Sequence, residues 1–279
     1  MQEKIIVSFT SYGLRLHNIP AVLDTIYSQT VSPDLVVLNL AYDEILPEAV
    51  ASYLQQHCVE VNRVADTKVF KKIAPTLKKY PHDVVINIDD DWLYPDGMIS
   101  DFMEMHSRYP DHPISGNGAV FREMIIHCGC ASLTKAEYFA PYLDEFEKLI
   151  AYCPCDDIAY TYFANRTGHP YIVSNGRYFL NMTPYCEGEG YSETVPWGAL
   201  KTGLDYLETS YGELPCFAEA YVKEAKLAQT LYHIHQESLK EMVEAEKEEA
   251  EKKVRSTRAY RLGKFMLNPF LWACGRKGN

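Results

Sequence analysis

Along the first half of the chain, short apolar runs alternate with segments whose apolar residues recur every three or four positions. The run Ile5 to Phe9 predicts a first strand, Asp34 to Leu40 a second, Val59 to Val64 a third and Val84 to Ile88 a fourth. Between them, Asn18-Ile19-Pro20 predicts a helix start with proline in the first turn, and Leu23, Ile26, Tyr27 and Thr30 follow at helical spacing. Pro47 to His57 and Lys71 to Tyr80 predict two further helices. Strands that are apolar on both faces and alternate with helices predict an α/β, Rossmann-like layout: a mostly parallel central sheet flanked by helices.

The second half is mixed. Pro95 to Tyr109 and Ile158 to Thr167 predict helices, and Ala119 to Ile126, Tyr171 to Val173 and Arg177 to Asn181 predict strands. Thr183 to Gly198, with three glycines and two prolines, predicts a loop, and the chain reads as mainly helical from about Phe217. No internal repeat and no Gly/Ser linker interrupts it. Residues 1–235 therefore read as one catalytic-size domain, and 236–279 as a charged helix followed by a basic amphipathic tail.

Composition narrows the class. With 279 residues, 47% hydrophobic and 23% charged, the chain is ordinary globular protein, not a disordered, collagen-like or disulfide-built one. A net charge of -11 disfavours a uniformly basic nucleic-acid binder. Glu3 precedes an apolar run too short for a signal-peptide core, and no stretch approaches membrane-spanning length, so a soluble cytoplasmic protein is expected. Cys128-Gly129-Cys130 and Cys153-Pro154-Cys155 are spaced too tightly for the usual structural zinc pairs, so buried, reduced thiols are expected.

The candidate chemistry begins at Asp89-Asp90-Asp91-Trp92, directly after the fourth strand. Ligands of open α/β sheets bind beyond the carboxyl ends of the strands. Three consecutive acids repel one another unless a cation neutralises them, and Mg2+ and Mn2+ take carboxylate oxygens together with substrate phosphates. In extended geometry Asp89 and Asp91 point to one side, leaving Asp90 for a sugar or ribose hydroxyl. A solvated turn is the alternative, with Pro95-Asp96-Gly97 close behind. After the first strand come Thr10, Ser11 and, further on, Arg15, which offer hydroxyls, amides and a guanidinium to a nucleotide. The chain has neither a G-x-G-x-x-G after its first strand nor a G-x-x-x-x-G-K-[ST], which excludes dinucleotide oxidoreductases and P-loop NTPases.

Here the chain resembles a known family. Val7-Ser8-Phe9-Thr10-Ser11 with Arg15, Gln29-Thr30, Pro33 to Leu38, Asp66-Thr67-Lys68 with Lys71-Lys72, Asp89 to Pro95 and Cys155-Asp156-Asp157-Ile158 are similar to A-type-fold nucleotide-sugar glycosyltransferases, family two of bacterial polysaccharide synthesis in particular. The resemblance spans roughly residues 4 to 180, and the strand-Asp-Asp-Asp element is its most specific part. It implies a hexosyltransferase-type enzyme in which Thr10, Ser11, Arg15, Asp66 and Lys72 hold a nucleoside diphosphate, most often UDP. Asp91 with Asp89 would bind Mn2+ or Mg2+, and Asp89 or Asp90 would meet ribose or donor sugar. It further implies an inverting transfer with Asp157 as base and Asp156 as its orienting neighbour, since an attacking acceptor hydroxyl must lose its proton. The alternative for Asp156-Asp157 is plain helix capping and first-turn charge.

The acceptor, a glycan or lipid-linked hydroxyl, is expected at the 183–198 loop, with Tyr191 and Trp197 as its aromatic contacts. Two competitors stand beside this reading: a catalytically inactive transferase-like scaffold, and another metal-dependent nucleotide enzyme such as a nucleotidyltransferase. The latter needs a glycine-rich phosphate loop, and Thr10 to Arg15 is not one.

Charge is unevenly spread. Residues 236–251 hold seven acids and two lysines, whereas 252–279 hold eight basic residues and no acid, which leaves -19 on residues 1–251. The basic residues interleave with Tyr260, Phe265, Phe270 and Trp272. That pattern suits an anionic membrane surface and a peripheral position on the inner face; the alternative is a tail packed on its own domain.

Overall fold

The structure, a computed structural model, describes residues 3–116, 120–121, 124–127, 130–174, 183–185, 199–214 and scattered positions from 221 to 253. Seven strands form the main sheet: β1 (Ile5–Thr10), β2 (Leu35–Ala41), β3 (Glu60–Val64), β4 (Val84–Ile88), β6 (Ile114–Ser115), β9 (Ala131–Thr134) and β10 (Ile172–Val173). Their order is β10-β6-β9-β4-β1-β2-β3. β1 pairs parallel with β2 and β4, β2 with β3, and β6 with β10, while β9 runs antiparallel between β4 and β6. The sheet is thus mostly parallel, as the apolar runs predict.

Helices cover both faces because the strands are apolar on both. Val7, Phe9, Leu38, Ile86 and Ile88 pack with α1 (Ile19–Tyr27), α2 (Glu48–Gln56) and α4 (Met98–Arg108). Their alternates Ile6, Val37 and Val85 pack with α3 (Ala74–Lys79), α5 (Asp156–Arg166) and α6 (Ala199–Tyr211). α5 is buried almost all round, which makes it an interior helix rather than an amphipathic surface one.

Several boundaries differ from the sequence pattern for local reasons. The helix expected from Lys71 divides into a 3-10 segment at Lys68–Lys72 and α3, whose Pro75 lies in the first turn. The strand expected over Ala119 to Ile126 is an antiparallel pair, β7 (Val120–Phe121) with β8 (Met124–Ile125). The 183–198 loop begins as a strand: β11 (Thr183–Pro184) pairs with β5 (Trp92–Leu93). The strand expected at Arg177 to Asn181 lies outside the described residues. Cys153 is buried and Cys130 and Cys155 partly so, but Cys58 is exposed, against the expectation of buried thiols. The described positions from 221 to 253 are helical. The chain divides into units at 1–231 and 232–279. No helix among the described residues is long and apolar enough to cross a membrane.

Candidate active site

Five carboxylates converge where β1 and β4 end and α5 begins. Asp89, Asp90 and Asp91 form a turn between β4 and β5, not the extended run expected. Tyr94 pins this turn: its hydroxyl accepts from the Asp89 amide at 2.8 Å and donates to the carbonyl of Cys130. On the other side, the Tyr185 amide donates to the Asp91 carbonyl at 2.7 Å, so β11 is fastened to the acidic turn.

Arg15 lies in a 3-10 segment, Gly13–Asn18, entered through Gly13 at φ +54, a conformation that glycine adopts freely. Its guanidinium is buried and grips Asp90, with Nε at 3.0 and 3.2 Å from the two carboxylate oxygens. Nη2 also contacts Asp90 and stands 3.0 Å from Asp91 Oδ2. Asp90, expected to be free for a hydroxyl, is the most buried of the three acids, at 4% exposure, and is held by Arg15.

Lys72 links the two acidic segments. Its Nζ is 3.0 Å from Asp89 Oδ1 and 3.1 Å from Asp156 Oδ2. A buried polar network fixes the segment that carries it. Ser8 Oγ donates to the Lys72 carbonyl at 2.5 Å and lies 2.7 Å from Thr76 Oγ1, and Asn39 Nδ2 reaches both hydroxyls. A fully satisfied network of this kind specifies one arrangement.

Asp156 and Asp157 open α5 in its first turn, with Cys155 at the N-cap, so neither acid is the cap. A helix N-terminus favours carboxylates there. Asp157 keeps a side chain 35% exposed, while its Oδ1 is buried 3.9 Å from Nε2 of His127. His127 is fully buried and was not singled out from the sequence, where a lone histidine after Ile125-Ile126 gives little signal.

The remaining expected residues are placed as follows. The Thr10 hydroxyl donates to the Asn39 carbonyl at 2.8 Å, joining β1 to β2. Ser11 Oγ is buried with no hydrogen-bond partner among the described residues. Asp66 pairs with Lys68 and Lys71; burial works against its charge, but the two ammonium groups hold its pKa down at about 2. Tyr191 and Trp197 lie outside the described residues.

The electrostatics are unbalanced. Among the described residues five carboxylates share two cations, Arg15 and Lys72, a formal surplus of three negative charges when all five are ionised. Burial pushes Asp89 up to about 7 despite Lys72, with Asp91 and Asp156 adding to the rise. Burial also raises Asp91, against the pull of Arg15. Burial disfavours the Lys72 ammonium, yet Asp156, Asp89 and Asp157 outweigh it and keep the group charged. Asp91 Oδ1 is buried without a hydrogen-bond partner among the described residues. Hard carboxylate oxygens, surplus negative charge and an orphaned oxygen together fit a divalent cation.

The mostly parallel seven-stranded sheet flanked by helices is an α/β fold that is similar to that of A-type glycosyltransferases. Among solved structures, mannosyltransferase PcManGT from Pyrobaculum calidifontis, in complex with GDP-Man and Mn2+, matches with TM-score 0.54 at 15% identity, over 95% of this chain and 84% of that chain. S. aureus TarS 1-349 matches at TM-score 0.44 and 10% identity, over 63% of this chain and 59% of that chain. A 4-diphosphocytidyl-2C-methyl-D-erythritol synthase matches at TM-score 0.43 and 12% identity, over 69% of this chain and 98% of that chain. At 15% identity the likeness to the mannosyltransferase is one of fold. No family model and no curated protein sequence matches the chain.

Proposed function

We infer that this protein is a divalent-metal-dependent glycosyltransferase that moves a sugar from a nucleoside-diphosphate donor to an acceptor hydroxyl. The observation that carries the reading is the surplus of negative charge at the carboxyl edge of β1 and β4, beside an acidic pair with one partly exposed carboxylate. The mannosyltransferase with the same fold was solved with GDP-Man and Mn2+, which supports a nucleotide-sugar donor and a metal here.

Asp89 and Asp91 would hold Mn2+ or Mg2+, which when bound neutralises charge on a diphosphate leaving group. Among the described residues Arg15 and Lys72 are the cations of the cluster, and beside that group they would offset the charge it gains as its bond to the sugar breaks. Thr10, Ser11 and Asp66 flank the nucleoside side, Asp90 orients Arg15, and Tyr191 and Trp197 contact the acceptor. Asp157 takes the acceptor's proton as the hydroxyl oxygen bonds to the anomeric carbon and the electron pair of the broken bond leaves with the diphosphate. This single displacement inverts the anomeric centre. UDP is the expected nucleotide, and a bacterial surface polysaccharide or lipid-linked glycan the expected product.

A thermal-shift screen of nucleotide sugars with and without Mn2+ tests the reading, because a ligand that binds only the native state raises the melting temperature. One donor class should stabilise the protein only with metal, and Asp157→Asn should keep that shift while losing transfer by about a hundredfold or more. Failure of every nucleotide sugar to bind would favour an inactive scaffold.

A further inference from the structure

His127 follows β8 and plays no part in the assignment above. Its side chain is fully buried, and neither ring nitrogen has a hydrogen-bond partner among the described residues. Buried polar atoms are nearly always paired, so an imidazole with two orphans calls for a reason. The ring is firmly held. Tyr160 and Tyr171 flank it with centroids at 5.4 Å each, and its backbone amide donates to Thr161 Oγ1 at 2.7 Å. Tyr160 and Thr161 belong to α5, whose first turn carries Asp156 and Asp157. The histidine is thereby fixed to the helix that presents the base.

Resting on the assignment of Asp157 as base, we propose that His127 is its positioning residue: Nε2–H donates to the buried Oδ1 of Asp157 and turns the other oxygen toward the acceptor hydroxyl. The present separation of 3.9 Å exceeds a hydrogen bond, and a small rotation of the partly exposed Asp157 side chain closes it. Catalytic hydrogen bonds commonly tighten only once substrate is bound.

The chemistry of the donor suits the task. Burial first, and the Lys72 ammonium second, keep the His127 pKa well below its ordinary value, so the ring carries one N–H and no charge. A cation in that place would stabilise the carboxylate and weaken it as a base, whereas a neutral donor orients it with a smaller loss of basicity. Among the described residues the groups that face this pair are Lys72, Cys155, Asp156, Tyr160 and Tyr171. His127, Asp156 and Asp157 also bring ligand atoms within 4.8 Å of one another, so the test below separates a positioning imidazole from a metal ligand.

The test measures kcat, donor KM and the pH profile of kcat for His127→Ala and His127→Gln, using the donor found in the thermal-shift screen. His127→Ala should lower kcat about ten- to a hundredfold, the range expected for a lost hydrogen bond to a charged group, with donor KM unchanged. Its acid limb should move to higher pH, because a carboxylate without its donor binds a proton more readily. His127→Gln, which keeps an amide N–H near the Nε2 position, should restore both. In an Asp157→Asn background, His127→Ala should have no further effect. A folded His127→Ala with normal kcat and an unmoved acid limb would overturn the proposal. So would the loss of one bound Mn2+ per chain in that variant, which would make the imidazole a metal ligand. If the alanine variant fails to fold, Gln against Asn at position 127 decides: an active Gln with an impaired Asn supports the role, and equal activities refute it. Normal turnover in Asp157→Asn alone would instead remove the base assignment itself.

Discussion

Lys72 stands 3.1 Å from Asp156, so a lysine on the segment beneath β1 is ion-paired with the first residue of α5, far away in sequence. The same Nζ is 3.0 Å from Asp89, and the ammonium therefore ties the acidic turn to the acidic helix.

Both side chains of the Lys72–Asp156 pair are 8% exposed. Removing one partner of a buried pair strands the other charge and costs about 3–5 kcal/mol. Lys72→Met should lower the stability of the metal-free protein by that order in a denaturant titration. Mn2+ should recover part of the loss, and so should acidification, since both neutralise the stranded carboxylates. A variant as stable as wild type in metal-free buffer would show that the pair does not hold the two segments together.

Asp89 gives the site a pH dependence of known sign. Burial, opposed by Lys72 and aided by Asp91, raises its pKa from 3.8 to about 7. Between those values the folded state keeps a proton that the unfolded chain has released. The metal-free protein should therefore lose stability as pH rises through this window and level off above about 7. A metal bound by Asp89 must displace that proton, so Mn2+ affinity should rise across the same window. Melting curves and Mn2+ titrations by calorimetry check both slopes, and Asp89→Asn should flatten both.

Gly203 in α6 lies against the segment that leads into α5. A Cβ at this position would sit 2.7 Å from Cys153 Sγ and 3.2 Å from Ile158 Cγ2. Alanine normally favours a helix over glycine by about 1 kcal/mol, but overpacking a core costs about 1–3 kcal/mol. Gly203→Ala should thus destabilise the protein, and adding Cys153→Ala should recover the loss in a melting-temperature measurement. A simple gain from Gly203→Ala would show that α6 yields at this point.

What could be read from the sequence follows from how local each signal is. β1, β2 and β4 announce themselves because they are buried on both faces and so mostly apolar, each broken only by one or two polar residues such as Ser8, Asn39 and Asn87. β9 does not: Ala-Ser-Leu-Thr is equally buried, but it is small and half polar, and its Ser132 hydroxyl donates to Asn87 across the sheet. The acids stand out at Asp89 to Asp91 and Asp156-Asp157 because they cluster within a few positions. Their partners are set by tertiary approach, and no local pattern assigns Arg15 to Asp90 or His127 to Asp157.

The basic tail is the last point open to a direct test. Residues 252–279 carry eight basic residues and no acid, interleaved with Tyr260, Phe265, Phe270 and Trp272, whereas residues 1–251 carry a net charge of -19. An acidic body is repelled by an anionic surface, so any membrane affinity must come from this segment. Each basic residue near such a surface contributes about 1 kcal/mol at physiological salt, and buried aromatics add to it. The whole chain should float with vesicles rich in anionic lipid, release as salt rises, and ignore neutral vesicles. A chain ending at residue 251 should not float at all. Equal flotation of the two would remove the membrane as the tail's partner.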